Sequence, residues 1–555
     1  MRVLGFSVGH DKGAVIIEDG KVIIGITQER VTRIKNDGAY KGGTIPFESI
    51  NYCLNELKLT AKDIDYFCYS TTEIIDDVDY QFFKKYPNLN RDILAYIPHH
   101  LAHAYSSFFS SGLDEAAVIV ADASGSIITF KNKTHIWYDP EKIGLDTQED
   151  WAEGISIYQF DRKGYKEVYK KWIKYPVPLN TNEDVSLGTV YSEGSLQLIY
   201  EPEQHTWPAG KLMGLASYAD QNVVDEAPEF VIEKDNDIFV PNNRIYPKVT
   251  WESDFFSKAC VAGIYQREQE RASLILAKMA KNLTESSNVC TAGGSFLNCN
   301  SNEKILNSEL FDKCFFLPPS DDTGIPLGCA WYAYQKLIDI EETEMISPYF
   351  GKTYDRDQII ASLNEYSEYE TIEYDDYEKL YEDVSYWLTQ NRVVGWFQDG
   401  SEIGPRALGN RSIIASPIPK WMGGHLNMDV KKREWYRPFA PAVLFEHQSE
   451  VFESNVFSPH MLVTTSVKPE WRDRIPAVTH VDNSARHQSV TAESNLKFYN
   501  IINKFYEKTG VPLLLNTSFN GPREPIVETP LEALKCFSER NLDFLVINNF
   551  LVFKH

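Results

Sequence analysis

The segment VLGFSVGHDKGAVIIEDGKVIIGI, residues 3–26, indicates the fold class of the first half of the chain. Val3–Val8 is apolar and predicts a buried strand, and Ala14–Ile17 predicts a second one after a polar turn. Asp19-Gly20 is typical of a tight hairpin turn and leads into a third strand at Val22–Ile26. The chain therefore opens with a strand followed by a hairpin.

Helices and strands alternate after this opening. Phe47–Leu59 has the pattern of a helix, and Tyr66–Ser70 that of a strand. Pro98 opens a second helix that should end near Gly112, and Ala116–Ala121 predicts a buried strand. Strands that alternate with helices favour an α/β domain.

A change in composition at Ile340–Tyr354 marks the expected domain boundary. The chain has 555 residues, which is too long for one hydrophobic core and predicts two to four domains. We expect one domain at 1–345 and another at 346–555. The second should contain, in order, an acidic helical stretch at Asp355–Gln390, a strand at Val393–Phe397, a glycine-rich loop at Gly400–Gly409, a strand at Leu513–Leu515, a polar loop at Asn516–Asn520 and a helix that starts near Pro530.

Charge and cysteine content exclude several classes of protein. The formal net charge of −24 argues against a nucleic-acid backbone or an anionic membrane as the main partner. The eight cysteines contain no C-x-x-C pair and suggest no disulfide framework. No signal peptide and no apolar run long enough to span a membrane is evident. We therefore expect a cytoplasmic protein without a nucleic-acid or membrane partner.

Two histidines four residues apart suggest a metal site. His99 and His103 would project from one face of the predicted helix, about one turn apart. Asp122 is the first polar residue after a predicted strand, and Asp322 lies in a predicted turn. Two imidazoles and two carboxylates form a reasonable ligand set with an open position. The alternative is that these histidines are ordinary capping or hydrogen-bonded polar residues.

Three glycine-containing loops could approach a phosphate. They are Gly9–Gly13, Gly210–Gly214 and Thr291–Asn298, and the third should open a helix whose N-terminus favours an anion. The phosphate-binding pattern G-x-x-x-x-G-K-[ST] is absent. Three such loops in one α/β domain suggest nucleotide binding, although each alone is typical of an ordinary turn.

The second half concentrates arginine and lysine in an otherwise acidic chain. Arg406 lies in the glycine-rich loop, and Lys431, Arg437 and Arg486 follow. Guanidinium groups match the oxygens of phosphates and carboxylates. With the neutral polar loop Asn516–Asn520, they could bind two polyanions at once, such as ATP and an acyl phosphate. The alternative is a solvated surface with ordinary ion pairs.

Motifs along nearly the whole chain resemble one family of enzymes. The motifs are Gly9-His10-Asp11, Gln28-Glu29-Arg30, His99–Ala104, Gly210–Gly214, Ala292–Asn298, Gly404–Ser412, Lys431–Pro441, Thr479–Arg486 and Asn516–Asn520. The chain resembles the O-carbamoyltransferases that act on nodulation factors, cephems and aminoglycosides. The resemblance implies an actin-like ATPase (ribonuclease-H-like) N-terminal domain, similar to the tRNA-threonylcarbamoylation factor. It implies an α/β twisted-sheet C-terminal domain, similar to threonylcarbamoyl-adenylate synthase.

The resemblance also implies a two-step reaction. Carbamoyl phosphate and ATP, with Mg²⁺, would give carbamoyl-adenylate and pyrophosphate in the C-terminal domain. The N-terminal domain would then pass the carbamoyl group to a hydroxyl of a small secondary metabolite of antibiotic or toxin type. The residues that match the family's sites are His99, His103, Asp122 and Asp322 as ligands of one divalent metal ion, with iron as the ion; Arg406, Lys431, Arg437, Arg486, Asn516 and Ser518 in the adenylation pocket; Lys211, Gly214, Gly293, Gly294 and Asn298 in the N-terminal adenylate site; and His10 and Asp11 at the acceptor pocket.

Physical reasoning gives some of these residues a role in the reaction. His10 or Asp11 is the candidate general base for the acceptor hydroxyl. Arg406 and Lys431 would stabilise phosphoryl charge in the first step. The alternatives are a kinase or tRNA-modifying factor on the actin-like fold, and a non-catalytic, nucleotide-gated binding subunit. A homodimer is the default expectation for the assembly.

Overall fold

The computed structural model describes residues 1–37, 44–72, 78–129, 137–176, 183–199, 208–241 and 248–554. Contacts among them divide the chain into two compact units. Unit 1 comprises Met1–Thr32 and Asn36–Ile346, and unit 2 comprises Arg33–Lys35 and Ser347–His555. Among the described ranges, no helix is both long enough and apolar enough to cross a bilayer.

Among the described residues, unit 1 contains two large sheets with helices packed against them and one small sheet of two strands. Its strands are β1 (Arg2–Val8), β2 (Gly13–Glu18), β3 (Lys21–Thr27), β4 (Tyr66–Thr71), β5 (Leu94–Tyr96), β6 (Glu115–Ala121), β7 (Ile127–Ile128), β8 (Asp150–Asp161), β9 (Gly164–Tyr175), β10 (Ile232–Lys234), β11 (Asp237–Phe239), β12 (Asn288–Ala292) and β13 (Lys313–Phe316). Its helices are α1 (Gln28–Thr32), α2 (Phe47–Glu56), α3 (Val78–Lys85), α4 (His99–Ser111), α5 (Leu187–Leu198), α6 (Ala209–Ala216), α7 (Gln221–Glu226), α8 (Phe255–Thr284), α9 (Cys299–Leu306) and α10 (Ile325–Leu337).

The first sheet of unit 1 has the order β3-β2-β1-β4-β5. Strands β1, β2 and β3 are antiparallel neighbours, whereas β1, β4 and β5 run parallel. The apolar side chains of Leu4, Phe6 and Phe67 are fully buried in its core. The predicted opening strand and hairpin are therefore confirmed.

The second sheet repeats the topology of the first. Five of its strands have the order β9-β8-β6-β12-β13, with β7 as an additional partner of β8. Strands β6, β8 and β9 are antiparallel neighbours, whereas β6, β12 and β13 run parallel. A five-stranded sheet of this order, present twice, defines the actin-like, ribonuclease-H-like fold and confirms the expected fold class. The sequence shows no matching repeat.

Helices α4 and α10 pack closely beside these sheets. A methyl group at Gly328 in α10 would lie 1.8 Å from the carbonyl oxygen of Ala102 in α4, so only glycine permits this approach. Helix α10 also packs on β1, where a methyl group at Gly5 would lie 2.0 Å from the carbonyl oxygen of Pro326. These contacts fix α4, which carries the histidine pair.

Unit 2 is an α/β unit built on one eight-stranded mixed sheet with the order β14-β23-β22-β15-β16-β21-β17-β20. The strands of unit 2 are β14 (Glu370–Glu373), β15 (Val394–Phe397), β16 (Arg411–Ala415), β17 (Ala440–Leu444), β18 (Thr465–Ser466), β19 (Ser484–Ala485), β20 (Gln488–Val490), β21 (Leu513–Ser518), β22 (Phe544–Ile547) and β23 (Phe550–Phe553). Its helices are α11 (Arg356–Asn364), α12 (Tyr377–Thr389), α13 (Met422–His425), α14 (Phe445–Val451), α15 (Pro469–Arg472), α16 (Leu496–Thr509) and α17 (Pro530–Glu539).

Three local predictions were wrong. Gly210–Gly214 is not a loop but part of helix α6, where alanine, leucine, lysine and methionine outweigh the two glycines. The stretch Asp355–Gln390 is not helical throughout, because β14 interrupts it and pairs with β23. Asn516 and Ser518 belong to β21 rather than to a loop, because their backbones pair with β16. Each of these results depends on neighbours that are remote in sequence or on a balance of weak propensities.

Candidate functional site

Helix α4 presents two histidines on one face. The helix begins at His99 and ends before Gly112, whose left-handed backbone is typical of a helix end. The rings of His99 and His103 are one turn apart, with their centroids separated by 4.7 Å, and both are buried. The intervening His100 faces elsewhere, with its Nδ1 atom 2.9 Å from Oγ of Ser156. The spacing of four therefore brings together the two imidazoles that the sequence suggested.

Two aspartates from distant parts of unit 1 meet these histidines. Asp122 directly follows β6, and Asp322 starts a short 3-10 turn that leads into α10. The Oδ2 atom of Asp122 lies 3.2 Å from Nε2 of His103 and 3.6 Å from Nε2 of His99. The Oδ1 atom of Asp322 lies 3.3 Å and 3.1 Å from the same two nitrogens. We call these four residues the quartet.

The quartet has the geometry and the charge to hold one divalent cation. Its four ligand atoms all lie within 4.8 Å of one another, and imidazole with carboxylate suits iron or zinc. Burial opposes a charge on His99, but Asp322 and Asp122 outweigh it and raise the pKa of His99 to about 10. Burial and Asp322 oppose ionisation of Asp122, but the two histidines lower the pKa of that carboxyl. The site thus favours the ionised form of its carboxylates, because positive charge faces them. A bound divalent cation would supply the same positive charge.

His10 and Asp11 lie beside the quartet, in the turn between β1 and β2. Nε2 of His10 lies 3.3 Å from Oδ2 of Asp322, and its Nδ1 lies 3.3 Å from Oδ2 of Asp11. Asp322 raises the pKa of His10. The His10 side chain is about half exposed at 51%, unlike the buried quartet histidines. His10 therefore has one side toward the quartet and one toward solvent.

Gly293 and Gly294 approach the quartet from the second sheet. Gly293 has φ of +94°, and a methyl group there would lie 2.2 Å from the carbonyl oxygen of Ala121. A methyl group at Gly294 would lie 3.2 Å from Oδ1 of Asp122. The predicted glycine loop and the predicted metal ligand are therefore neighbours, as a site for a phosphate near a cation requires.

Asn298, Lys211 and Gly214 occupy the region beyond this loop. Asn298 caps α9 and exchanges two amide hydrogen bonds with Gln266 of α8, at 3.0 Å and 2.9 Å. Lys211 and Gly214 lie on α6, which packs on α8. Sγ of Cys299 in α9 lies 3.7 Å from the sulfur of Met213 in α6. The structure thus brings α6 next to α9, although α6 is not the predicted loop.

Unit 2 contains a buried lysine at the centre of a polar cluster. Lys431 donates hydrogen bonds from Nζ to the carbonyl oxygen of Ser518 at 2.7 Å, to Oγ of Ser518 at 3.2 Å and to the carbonyl oxygen of Asn520 at 2.9 Å. It also contacts the side-chain oxygen of Asn520. Burial, followed by Arg433 and Arg437, lowers the pKa of Lys431 well below its usual range. An anion beside Lys431 would relieve this electrostatic cost.

The loop that carries Arg406 is held next to Asn516. Nδ2 of Asn516 donates to the carbonyl oxygen of Ala407 and to Oε1 of Gln488, both at 3.1 Å. The buried carboxylate of Glu402 accepts three backbone N–H groups of residues 408–411, at 2.7, 2.8 and 3.1 Å. Hydrogen bonds to one buried carboxylate therefore hold the backbone of the glycine-rich loop in place.

Arg433 is partly buried, and Arg437 and Arg486 both act on its charge. Burial and Arg437 lower the pKa of Arg433, and Arg486 contributes in the same direction. The guanidinium of Arg433 lies 4.5 Å from the centroid of the Phe439 ring and donates to Oδ1 of Asn427 at 2.7 Å. We call Lys431, Arg433, Arg437 and Arg486 the cationic cluster. Gathered like charges of this kind favour a polyanionic ligand.

The fold and the site together define a class: an actin-like α/β protein with a buried centre of two imidazoles and two carboxylates, joined to a unit with a cationic cluster. Two family models match the chain. The carbamoyltransferase N-terminus model matches residues 2–94 and 84–331, and the carbamoyltransferase C-terminus model matches residues 385–554. The chain belongs to the carbamoyltransferase family and is a carbamoyltransferase.

The chain is also similar to curated nodulation proteins. Nodulation protein NolNO of Sinorhizobium fredii is 30% identical, covering 98% of this chain and 79% of its own length. Nodulation protein NolO of Bradyrhizobium diazoefficiens is 32% identical, covering 82% of this chain and 78% of its own length. Among solved structures, full-length HypF in a phosphate- and nucleotide-bound form aligns with a TM-score of 0.38 at 14% identity, covering 62% of this chain and 56% of that one.

Some residues of these sites were missed by the sequence reasoning. Glu402 lies within the glycine-rich loop, and an acidic residue in the same loop as Arg406 was the available signal. The contact of His10 with Asp322 links two motifs that are more than 300 residues apart in the sequence. No local pattern could have indicated that contact.

Proposed function

We propose that this carbamoyltransferase uses ATP and carbamoyl phosphate in two steps at two separate sites. In the first step, carbamoyl phosphate, water and ATP would give carbamoyl-adenylate, pyrophosphate and inorganic phosphate in unit 2. In the second step, the carbamoyl group would pass in unit 1 to a hydroxyl of a small secondary metabolite. The observation that carries the proposal is the opposite charge preference of the quartet and the cationic cluster.

The cationic cluster suits the first step. ATP and carbamoyl phosphate are both polyanions, and charge shifts among phosphoryl oxygens as pyrophosphate leaves. Lys431 and Arg437 would neutralise that charge, with Arg406 and Arg486 as further phosphate ligands. Asn516 and Ser518 would supply neutral hydrogen-bonding groups beside them.

The quartet suits the second step. His99, His103, Asp122 and Asp322 would hold one divalent ion, which we propose to be iron. When bound, such an ion supplies Lewis-acid stabilisation of negative charge on phosphate or carbonyl oxygens. Gly293 and Gly294 would let the adenylate phosphate approach the backbone near Asp122, and Asn298, Lys211 and Gly214 would lie toward its nucleoside end.

A general base is needed for the acceptor hydroxyl, and His10 is the first candidate. Its ring is half exposed, so it can meet an acceptor, and its other side contacts Asp322. With the charge of Asp322, which raises the pKa of His10, offset by a cation in the quartet, the neutral ring would take the hydroxyl proton as the oxygen attacks the carbamoyl carbon and the adenylate leaves. Asp11 contacts the same ring and would either orient His10 or serve as the base itself.

The first step is tested by isotope exchange with the purified full chain. The chain is incubated with ATP, Mg²⁺, labelled pyrophosphate and carbamoyl phosphate, and label in ATP is measured. We expect exchange only when carbamoyl phosphate is present, and none when acetyl phosphate replaces it. Exchange that does not depend on carbamoyl phosphate, or no exchange at all, contradicts the proposal.

The acceptor is sought by mass spectrometry of metabolites that bind the chain. Candidate alcohols are then incubated with the chain, ATP and carbamoyl phosphate. We expect a product that carries one added carbamoyl group on oxygen. Carbamoylation of an amine instead of a hydroxyl would show that the proposed acceptor class is wrong.

A further inference from the structure

A buried ion pair lies directly behind the N-terminus of α4. Nζ of Lys170 in β9 lies 2.6 Å from Oε1 of Glu153 in β8, and both side chains are at least 95% buried, with exposures of 5% and 0%. Tyr138 donates to the same oxygen of Glu153 at 2.9 Å. Burial opposes a charge on Glu153, but Lys170 lowers the pKa of its carboxyl below the usual range. The pair is therefore charged at neutral pH.

The carboxylate of Glu153 caps the helix that carries the metal ligands. Its Oε2 atom accepts from the backbone N–H of His100 at 3.1 Å and from that of Ser126 at 2.9 Å. Oγ of Ser126 in turn accepts from the backbone N–H of His99 at 2.8 Å. The first two N–H groups of α4, which no helical carbonyl can accept, are thus bound by Glu153 directly and through Ser126.

The first turn of α4 sets the position of the histidine rings. Metal-binding histidines usually donate their second ring nitrogen to a carboxylate or carbonyl, which fixes the ring. Here Nδ1 of His99 and Nδ1 of His103 are buried and make no hydrogen bond to any residue that the structure describes. Backbone placement must therefore do what such hydrogen bonds do elsewhere. A methyl group at Gly125 would lie 2.6 Å from the ring of His100, so the turn is closely packed as well.

Glu153 also changes the electric field at the quartet. A helix N-terminus carries partial positive charge, which disfavours a cation held by His99 and His103 in the first turns. A carboxylate that binds the terminal N–H groups offsets this field. Lys170 contacts the Oε1 side of the carboxylate, whereas the helix contacts Oε2, so the negative end of the pair faces α4.

We propose that Glu153, held in place by Lys170, is a positioning residue for the metal centre and raises its affinity for a divalent cation. This inference rests on the proposed role of the quartet as a metal site. Its competitor is a pair that only stabilises the fold. A buried pair of that kind changes the free energy of unfolding when one partner is lost, but it leaves cation affinity alone.

The test measures binding of Co²⁺ to the metal-stripped full chain, by calorimetry and by the visible absorption of bound cobalt. The variants are Glu153→Gln, Lys170→Met and the double variant. We expect each single variant to weaken Co²⁺ binding roughly 10–100-fold and to alter the cobalt spectrum, as loss of an outer-shell partner does. Thermal unfolding is recorded in parallel.

Lys171→Met provides the matched control. Lys171 is the next residue of β9, is equally buried, and pairs with Asp184 at 2.5 Å rather than with Glu153. We expect Lys171→Met to lower thermal stability without changing the affinity for Co²⁺ or the cobalt spectrum. A comparable loss of affinity in this variant would mean that any buried charge on β9 matters, and would overturn the inference.

The double variant separates positioning from stability. Removing both charges should restore much of the stability lost in the single variants, because no buried charge is left without its partner. We expect Co²⁺ binding to stay weak, since the helix has lost its anionic cap. Recovery of both stability and affinity, or unchanged affinity in a folded Glu153→Gln variant, would overturn the inference. If the wild-type chain binds no Co²⁺, it is the proposed metal site that fails.

Discussion

The quartet histidines and Lys431 of the cationic cluster are all buried, but the two sites are organised in opposite ways. In the quartet, two carboxylates face two imidazoles, so each charge has an opposite partner within 3.6 Å. In the cationic cluster, Lys431 is held by carbonyl and amide oxygens, and its pKa is lowered by burial and by Arg433 and Arg437, of which Arg437 has one carboxylate, that of Glu434, at 3.7 Å. A site for a cation can thus be balanced in charge by its own residues, whereas a site for a polyanion keeps an excess of positive charge until its ligand binds.

The largest effect should come from removing one ligand of the quartet. We expect His103→Ala and Asp122→Asn each to reduce carbamoyl transfer by more than the roughly 10–100-fold typical of changes around a metal. Pyrophosphate exchange should not change, because the two steps use different sites. Asp114→Asn, at an exposed carboxylate of unit 1, is the control. If pyrophosphate exchange falls together with carbamoyl transfer, the two steps do not use independent sites.

The matching change in unit 2 is Lys431→Met. We expect exchange to fall about 100-fold or more, because the charge that would stabilise the phosphoryl group is lost. Binding of Co²⁺ to unit 1 should remain at its wild-type affinity. Lys432→Met is the control, since the neighbouring Lys432 is exposed. Equal losses in both variants would show that the burial of Lys431 is irrelevant.

Glycine substitutions test whether the loop beside the quartet in unit 1 is fixed in place. Gly293→Ala should destabilise the chain by about 1–3 kcal/mol, because its backbone has φ of +94° and the methyl group meets Ala121. Gly210→Ala should instead stabilise it by up to about 1 kcal/mol, since α6 offers open space at that position. Thermal unfolding measures both. A neutral Gly293→Ala would mean that the glycine loop is not fixed beside Asp122.

The smallest effect concerns pH and unit 2. Burial lowers the pKa of His487 from 6.5 to about 4. Above pH 6.5 His487 is neutral in both the folded and the unfolded chain and does not reduce stability. As the pH falls from 6.5 toward 4, the unfolded chain binds a proton at this position that the folded chain does not, so the free energy of unfolding decreases. We expect a loss of roughly 1 kcal/mol by about pH 5.5, and none from this position in His487→Gln. Hydrogen exchange of β20 and β21 reports it, and an identical pH dependence in both proteins would contradict it.

Part of the quartet could be predicted because it follows from local periodicity. His99 and His103 are four residues apart on one helix, and that spacing alone puts their rings on the same face. Asp122 and Asp322 meet them only because β6 and the turn before α10 reach the same point in unit 1. Their roles came from the resemblance to a family, since no local pattern joins residues that are so far apart.

The failures of prediction are of the same physical kind. Helix α6 tolerates Gly210 and Gly214 because its other residues favour a helix and because it packs on α8, and β14 forms within an acidic stretch because β23 provides its hydrogen-bonding partner. Glu153 and Lys170 could not be paired from sequence, because they lie on two strands of a long hairpin whose register includes irregular positions. Helix and strand propensities are properties of one segment, whereas these structures also depend on the elements that pack against that segment or pair with it.

The order of strands in unit 2 has a consequence for synthesis on the ribosome. Strands β22 and β23 lie between β15 and β14 in the sheet, although they are the last of its strands along the sequence. The sheet of unit 2 cannot be completed until residue 553 has left the ribosomal exit tunnel, whereas every described strand of unit 1 precedes residue 317. Unit 1 can therefore fold during translation, while β14 and one edge of β15 stay unpaired until β22 and β23 are made. A chaperone that shields unpaired strand edges would be needed most in that interval.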